Sequence, residues 1–160
     1  MKISKKGIIL LLLTCCGFVF LLAHYGKNAD QALAQPSNLM HLSKEGEATK
    51  RIYAKTITAT NQKDISKYVA CLVPKARKNT TKALSQFFEK QTVRNTLLSY
   101  RVLKSEKGHL LAEAKVKSIN QSGTQKKYRD NITTMNISYV KTHGKWLIDL
   151  TTATNTQLLK

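Results

Sequence analysis

The sequence predicts an α+β chain: an N-terminal membrane helix, then three helices packed on a bent four-stranded antiparallel sheet. Three observations carry this. Residues 8–23 hold no charged side chain. Between residues 45 and 91, apolar side chains recur at three- and four-residue spacing. From Thr92 the spacing changes to two, and the breaks between runs are too short for crossover connections.

The uncharged run reads IILLLLTCCGFVFLLA and is extended by His24 and Tyr25. That length lies between a signal sequence and a full membrane span. Lys2, Lys5 and Lys6 precede it, so residues 1–7 are expected in the cytoplasm, residues 8–25 in the membrane and the remainder outside. Cleavage after Ala34 and lipidation at Cys15 or Cys16 are alternative fates of this segment. Residues 26–43 are small and polar and include Pro36, the composition of a linker. Residues 44–153 then form the extracytoplasmic domain, and 154–160 a tail.

Ser43 followed by Glu45 and Glu47 suits a helix start, and Ile52, Tyr53 and Ile57 give a helix over 45–60. Asp64 caps a short helix over 65–71, which Pro74 ends. Asn79 or Thr80 caps a third helix over 79–91, with Ala83, Leu84, Phe87 and Phe88 facing inward. Strands follow at 97–104, 110–119, 127–140 and 145–152. The third is long enough to need a bulge or bend near Asn131. The last two make a hairpin closed by Thr142-His143-Gly144. Its second arm places Trp146, Ile148 and Leu150 on one face and Leu147 and Asp149 on the other. A bent sheet covered by helices on its apolar face makes a cone.

The formal net charge is +18, and few of the cations precede residue 26. Such an excess suits polyanionic partners: nucleic acid, anionic lipid or an acidic wall polymer. It equally suits a merely solvated surface. The 22 Lys outnumber the Arg, which favours salt-sensitive attraction over specific readout of DNA. Two groups stand out as anion- or partner-binding candidates. Lys75, Arg77, Lys78 and Lys82 cluster at the start of the third helix, where free backbone N–H groups can help hold an anion. Lys126, Lys127 and Arg129 flank Tyr128.

Val140-Lys141-Thr142-His143-Gly144-Lys145-Trp146-Leu147-Ile148-Asp149, after three helices and two strands, resembles the closing hairpin of the nuclear transport factor two-like superfamily. The resemblance covers residues 44–153 and implies a cone-shaped α+β domain whose members include isomerases, dehydratases, transport factors and structural modules. A short tail, one span and an outer cone also resemble the bitopic scaffold of type IV secretion and conjugation machines, including those of Gram-positive bacteria. That likeness implies contact with other envelope or channel subunits, and self-association.

An enzyme of this fold needs an acid or base inside the cone. Asp130 is the one candidate, with Tyr100 and Tyr128 or Tyr139 as hydroxyl partners. Tyr100, Tyr139 and Trp146 are also the candidates for core or cavity lining. The four His have no ligand spacing and Cys71 stands among apolar neighbours, so neither a metal nor a cofactor is expected. Asn79, Asn120, Asn131 and Asn136 match the glycosylation pattern, and the match reads as incidental. The residues therefore point to a non-enzymatic, membrane-anchored binding or assembly domain. A conjugative scaffold is its most specific form; a receptor for anionic polymer or lipid, and a small cavity enzyme, are the alternatives.

Overall fold

The computed structural model describes residues 42–123 and 128–160. The expected tail 1–7, the apolar run 8–25, nearly all of the linker, and Lys126 and Lys127 lie outside the described residues. Among those described, no helix is long and apolar enough to cross a membrane.

Three helices precede a four-stranded antiparallel sheet. Helix α1 runs Lys44–Asn61, α2 Ile65–Ala70 and α3 Pro74–Lys90. The strands are β1 (Val93–Glu106), β2 (His109–Asn120), β3 (Asn131–Thr142) and β4 (Lys145–Leu158), in spatial order β1-β2-β3-β4. The Ser43 hydroxyl accepts the Gly46 N–H at 3.1 Å, and Asp64 accepts the Lys67 N–H at 2.9 Å, so both predicted caps hold.

Helix α3 starts at Pro74, five residues before the expected start at 79. Proline does not terminate α2; it occupies the first turn of α3, where its missing N–H has no helical partner to lose and its fixed φ is already helical. Strand β3 begins at Asn131, not 127. The expected bend near it appears instead on β4, where register shifts leave Asp149 and Thr154 as extra residues opposite β3. The bulge at Asp149 resets the alternation. Trp146 and Ile148 are buried as expected, whereas Leu150 is 53 % exposed and Thr151 takes the inward position. Residues 154–158, expected as a tail, continue β4.

One face of the sheet is covered. Leu110, Ala112, Ala114 and Val116 of β2 and Met135, Ile137 and Tyr139 of β3 are almost fully buried under Tyr53 and Ile57 of α1, Tyr68 and Leu72, and Leu84 of α3. Residues 71–73, between α2 and α3, add a short parallel bridge to the edge of β4: Ile148 N–H donates to Cys71 O at 2.9 Å and Val73 N–H to Ile148 O at 3.0 Å.

Candidate functional site

The covered face divides into an apolar half with tyrosines and an uncharged polar end. In the first half, Tyr100 of β1 and Tyr139 of β3 come together beside Thr49 and Tyr53 of α1, the Tyr53 and Tyr100 rings lying 6.5 Å apart. The Tyr100 and Tyr139 hydroxyls are enclosed, and neither completes a hydrogen bond of good geometry. Burial pushes the Tyr139 phenol far above its ordinary value, and the neighbouring Tyr100 adds to this. Burial also raises Tyr100, with the contacts to Thr49 and Tyr139 pulling back. Both groups are therefore neutral hydroxyls at any physiological pH. Trp146 is buried nearby, with Lys141 Nζ 5.5 Å from its ring centroid. Cys71 is half-buried against the same core; burial raises its thiol, with the Lys55 cation opposing.

The polar end takes its shape from reciprocal amide contacts. Asn61, at the end of α1, donates Nδ2 to Asn95 O at 2.9 Å and accepts the Asn95 N–H at 2.7 Å. Ser118 Oγ donates to Asn95 Oδ1 at 2.6 Å, which leaves the buried Asn95 Nδ2 without a partner. Asn131 and Thr133 continue this buried row, and Thr133 Oγ1 donates to Asn131 Oδ1 at 3.0 Å. Asn95, Ser118 and Thr133 carry no signal in the sequence, because an inward polar residue on a strand has no pattern of its own. Asn131 is almost fully buried, so its glycosylation pattern is indeed incidental.

Asp130 is not a wall of the tyrosine cluster. It is half-buried in the connection between β2 and β3, where its Oδ1 accepts the Asn120 N–H at 2.7 Å. The carboxylate closes that connection, and Tyr100 and Tyr139 lie farther along the sheet, opposite Ala114 and Leu110.

The basic candidates separate. Because α3 begins at Pro74, Lys75, Arg77 and Lys78 sit inside its first turns instead of ahead of them. Lys75 Nζ pairs with Asp149 Oδ1 at 2.8 Å, and Arg77 Nε donates to Leu72 O at 3.1 Å. Lys78 and Lys82 remain exposed on the face that Lys75 begins. Arg129 is exposed at the other end of α3, where the Tyr128 ring meets Phe87 edge-on at 6.0 Å. Lys75 and Phe87 are separated by about 18 Å of helix, so the two groups do not form one site. Among the described residues no group of three His, Cys, Asp or Glu is placed to hold a metal ion.

Similar backbones occur in solved structures. A protein of unknown function with a cystatin-like fold from Nostoc punctiforme aligns over 71 % of this chain and 93 % of its own, with TM-score 0.60 and 12 % identity. A nuclear transport factor two-like protein of unknown function from Pseudomonas putida gives 69 % and 87 %, TM-score 0.59 and 10 % identity. A candidate scytalone dehydratase from Novosphingobium aromaticivorans gives 72 % and 88 %, TM-score 0.50 and 17 % identity. At these identities the likeness establishes the cone fold alone. No curated protein matches the sequence. A likeness to the bitopic scaffold of type IV secretion machines is not shown by any of these. A family model does match, over residues 51–159, which takes in most of α1, α2, α3 and the entire sheet. The chain belongs to the family of the C-terminal domain of the anti-sigma-I factor RsgI9.

Proposed function

We propose that this chain is a regulatory contact domain held on the outer side of the cell membrane by its N-terminal apolar segment, acting by binding other envelope proteins and not by catalysis. The single observation that carries the reading is the match of residues 51–159 to the C-terminal domain of an anti-sigma-I factor. That name ties this type of domain to the control of a sigma factor. In this chain the matched residues follow an uncharged run that three lysines precede, an arrangement that suits a domain facing outward. The positions of the acids support binding over chemistry: Asp130 is engaged with Asn120 N–H and Asp149 with Lys75.

The test expresses the full chain with a C-terminal epitope in a Gram-positive host. The expected result is retention in the membrane through alkaline extraction, with the epitope digested when protease is added to intact cells. Release into the medium, or an epitope shielded from protease, would overturn the placement. Deletion is then expected to change transcripts under a sigma factor while leaving conjugative transfer intact. Loss of transfer would support the finer reading, a scaffold of a conjugative channel, which rests on architecture alone. Loss of an activity on Asp130→Asn without loss of folding would support a cavity enzyme.

A second reading has its own support in the excess of exposed lysines on α1, α3 and β2. It is a receptor for an anionic polymer or lipid. Binding that collapses with added salt and needs no protein partner would favour it.

A further inference from the structure

Helix α3 and the far half of β4 leave from the same point and finish at the same end of the molecule. They are tied at the start by the backbone bonds between residues 71–73 and Ile148. At the far end, the connection between β2 and β3 links them: Tyr128 packs on Phe87, and two residues later Asp130 O accepts the Leu159 N–H at 2.8 Å. Between these ties the two backbones do not pack closely on each other. The Lys75–Asp149 ion pair joins the first turn of α3 to β4. Lys78 and Lys82 lie three and seven residues on from Lys75, so they share the helix face that begins at the Lys75–Asp149 pair.

The outer edge of β4 is open among the described residues. Beyond Ile148, no described segment pairs with the outer edge of β4. Residues 150–158, LTTATNTQL, hold neither a charge nor a proline, in a chain with 27 Lys and Arg. The opposite edge is guarded in the usual ways, by Arg94, Arg101, Lys104 and Glu106 and by register shifts that leave out Leu98 and Leu103. On β4 the bulge at Thr154 divides the open edge into residues 150–153 and 155–158.

Taking the binding role proposed above as given, we infer that an extended acidic segment of a partner protein adds to β4 along residues 150–158, its carboxylates meeting Lys78 and Lys82. Strand addition supplies main-chain hydrogen bonds and the lysines supply selection by charge. The occupant follows from charge. A second copy carries +18 of its own, and residues 26–41 of this chain hold a single acid, Asp30, offset by Lys27.

The test uses the full chain in detergent. Its probe is a pool of peptides about eight residues long, enough to follow 150–158, in which Glu alternates with Val, Thr or Tyr. A pool with Lys in place of Glu is the control. The acidic pool is expected to slow hydrogen exchange of amides in 150–158 and not in β1. Lys78→Glu with Lys82→Glu is expected to weaken binding about tenfold with unchanged thermal unfolding. Equal protection by both pools, or none at 150–158, overturns the proposal. So does protection that grows with protein concentration without peptide, which would assign the edge to a second copy. A chain that binds the acidic pool yet is found inside the cell keeps the edge site and removes the outer placement; an outward-facing chain that ignores the pool does the reverse.

Discussion

Tyr139 shows how one buried hydroxyl separates packing from hydrogen bonding. Its ring is completely enclosed and its oxygen lacks a well-formed bond. Tyr139→Phe is therefore expected to change unfolding free energy by less than about 1 kcal/mol in either direction. Tyr139→Ala empties the centre of the core and is expected to cost about 3–5 kcal/mol. Urea unfolding of the two variants checks the contrast, and a large loss in the Phe variant would mean the hydroxyl is satisfied after all. Asp64 is the opposite case, a surface group whose ionised form is used. The Lys67 N–H first, then the Ser66 hydroxyl and the Lys67 ammonium, hold its carboxyl well below the ordinary range. A depressed folded value means the stabilisation is present above the ordinary carboxylate value of about 4 and fades as pH falls below it. Asp64→Ala is expected to lower the melting temperature near neutrality. The gap to the parent should narrow as pH drops through that range, which a pH series of melts records.

At the level of elements, the bulge at Asp149 decides what each side chain of β4 does. Plain alternation puts Leu150 with Trp146 and Ile148, but the extra residue turns it outward and brings Thr151 in. Leu150→Glu is expected to stay within about 0.5 kcal/mol of the parent. Ile148→Ala is expected to cost about 2–5 kcal/mol, because its side chain lies in the core. Chemical denaturation of both variants measures this, and similar losses would place Leu150 inside. The same kind of argument explains α3. Its start depends on Val73 bonding to Ile148, a contact between residues far apart in sequence, so local cap signals at Asn79 and Thr80 were outweighed. Lys75 and Arg77, grouped with Lys78 by sequence, are taken by Asp149 and the Leu72 carbonyl for that reason.

For the whole molecule, the charge is the dominant long-range term. The chain carries +18, and among the described residues Asp64, Asp149, Glu113, Glu106 and Glu45 each pair with a single cation. Self-repulsion lowers the stability of the compact state and salt screens it. Raising salt from low to physiological strength is expected to lift the melting temperature by a few degrees, corresponding to roughly 1 kcal/mol. Differential scanning calorimetry tests this, and a flat or falling profile would mean that the local ion pairs outweigh the repulsion. The same charge makes a closely packed second copy unfavourable and an acidic partner favourable.

Local sequence by itself determined the order of three helices and four antiparallel strands, two of the helix caps, and the burial of Trp146 and Tyr139. These are short-range properties: spacing decides which face is apolar, and a side-chain oxygen three residues back decides a cap. Tertiary structure alone decided where α3 begins, which way Leu150 points and how Asp130 is used. It also decided that Asn95, Ser118, Asn131 and Thr133 form a buried polar row, and that Lys78 and Lys82 share a helix face with the ion-paired Lys75. Each depends on a contact between segments distant in the chain, such as Val73 with Ile148, Asn61 with Asn95, or Lys75 with Asp149. A bulge changes the phase of a strand only when its partner is in place, so no reading of β4 alone reveals it.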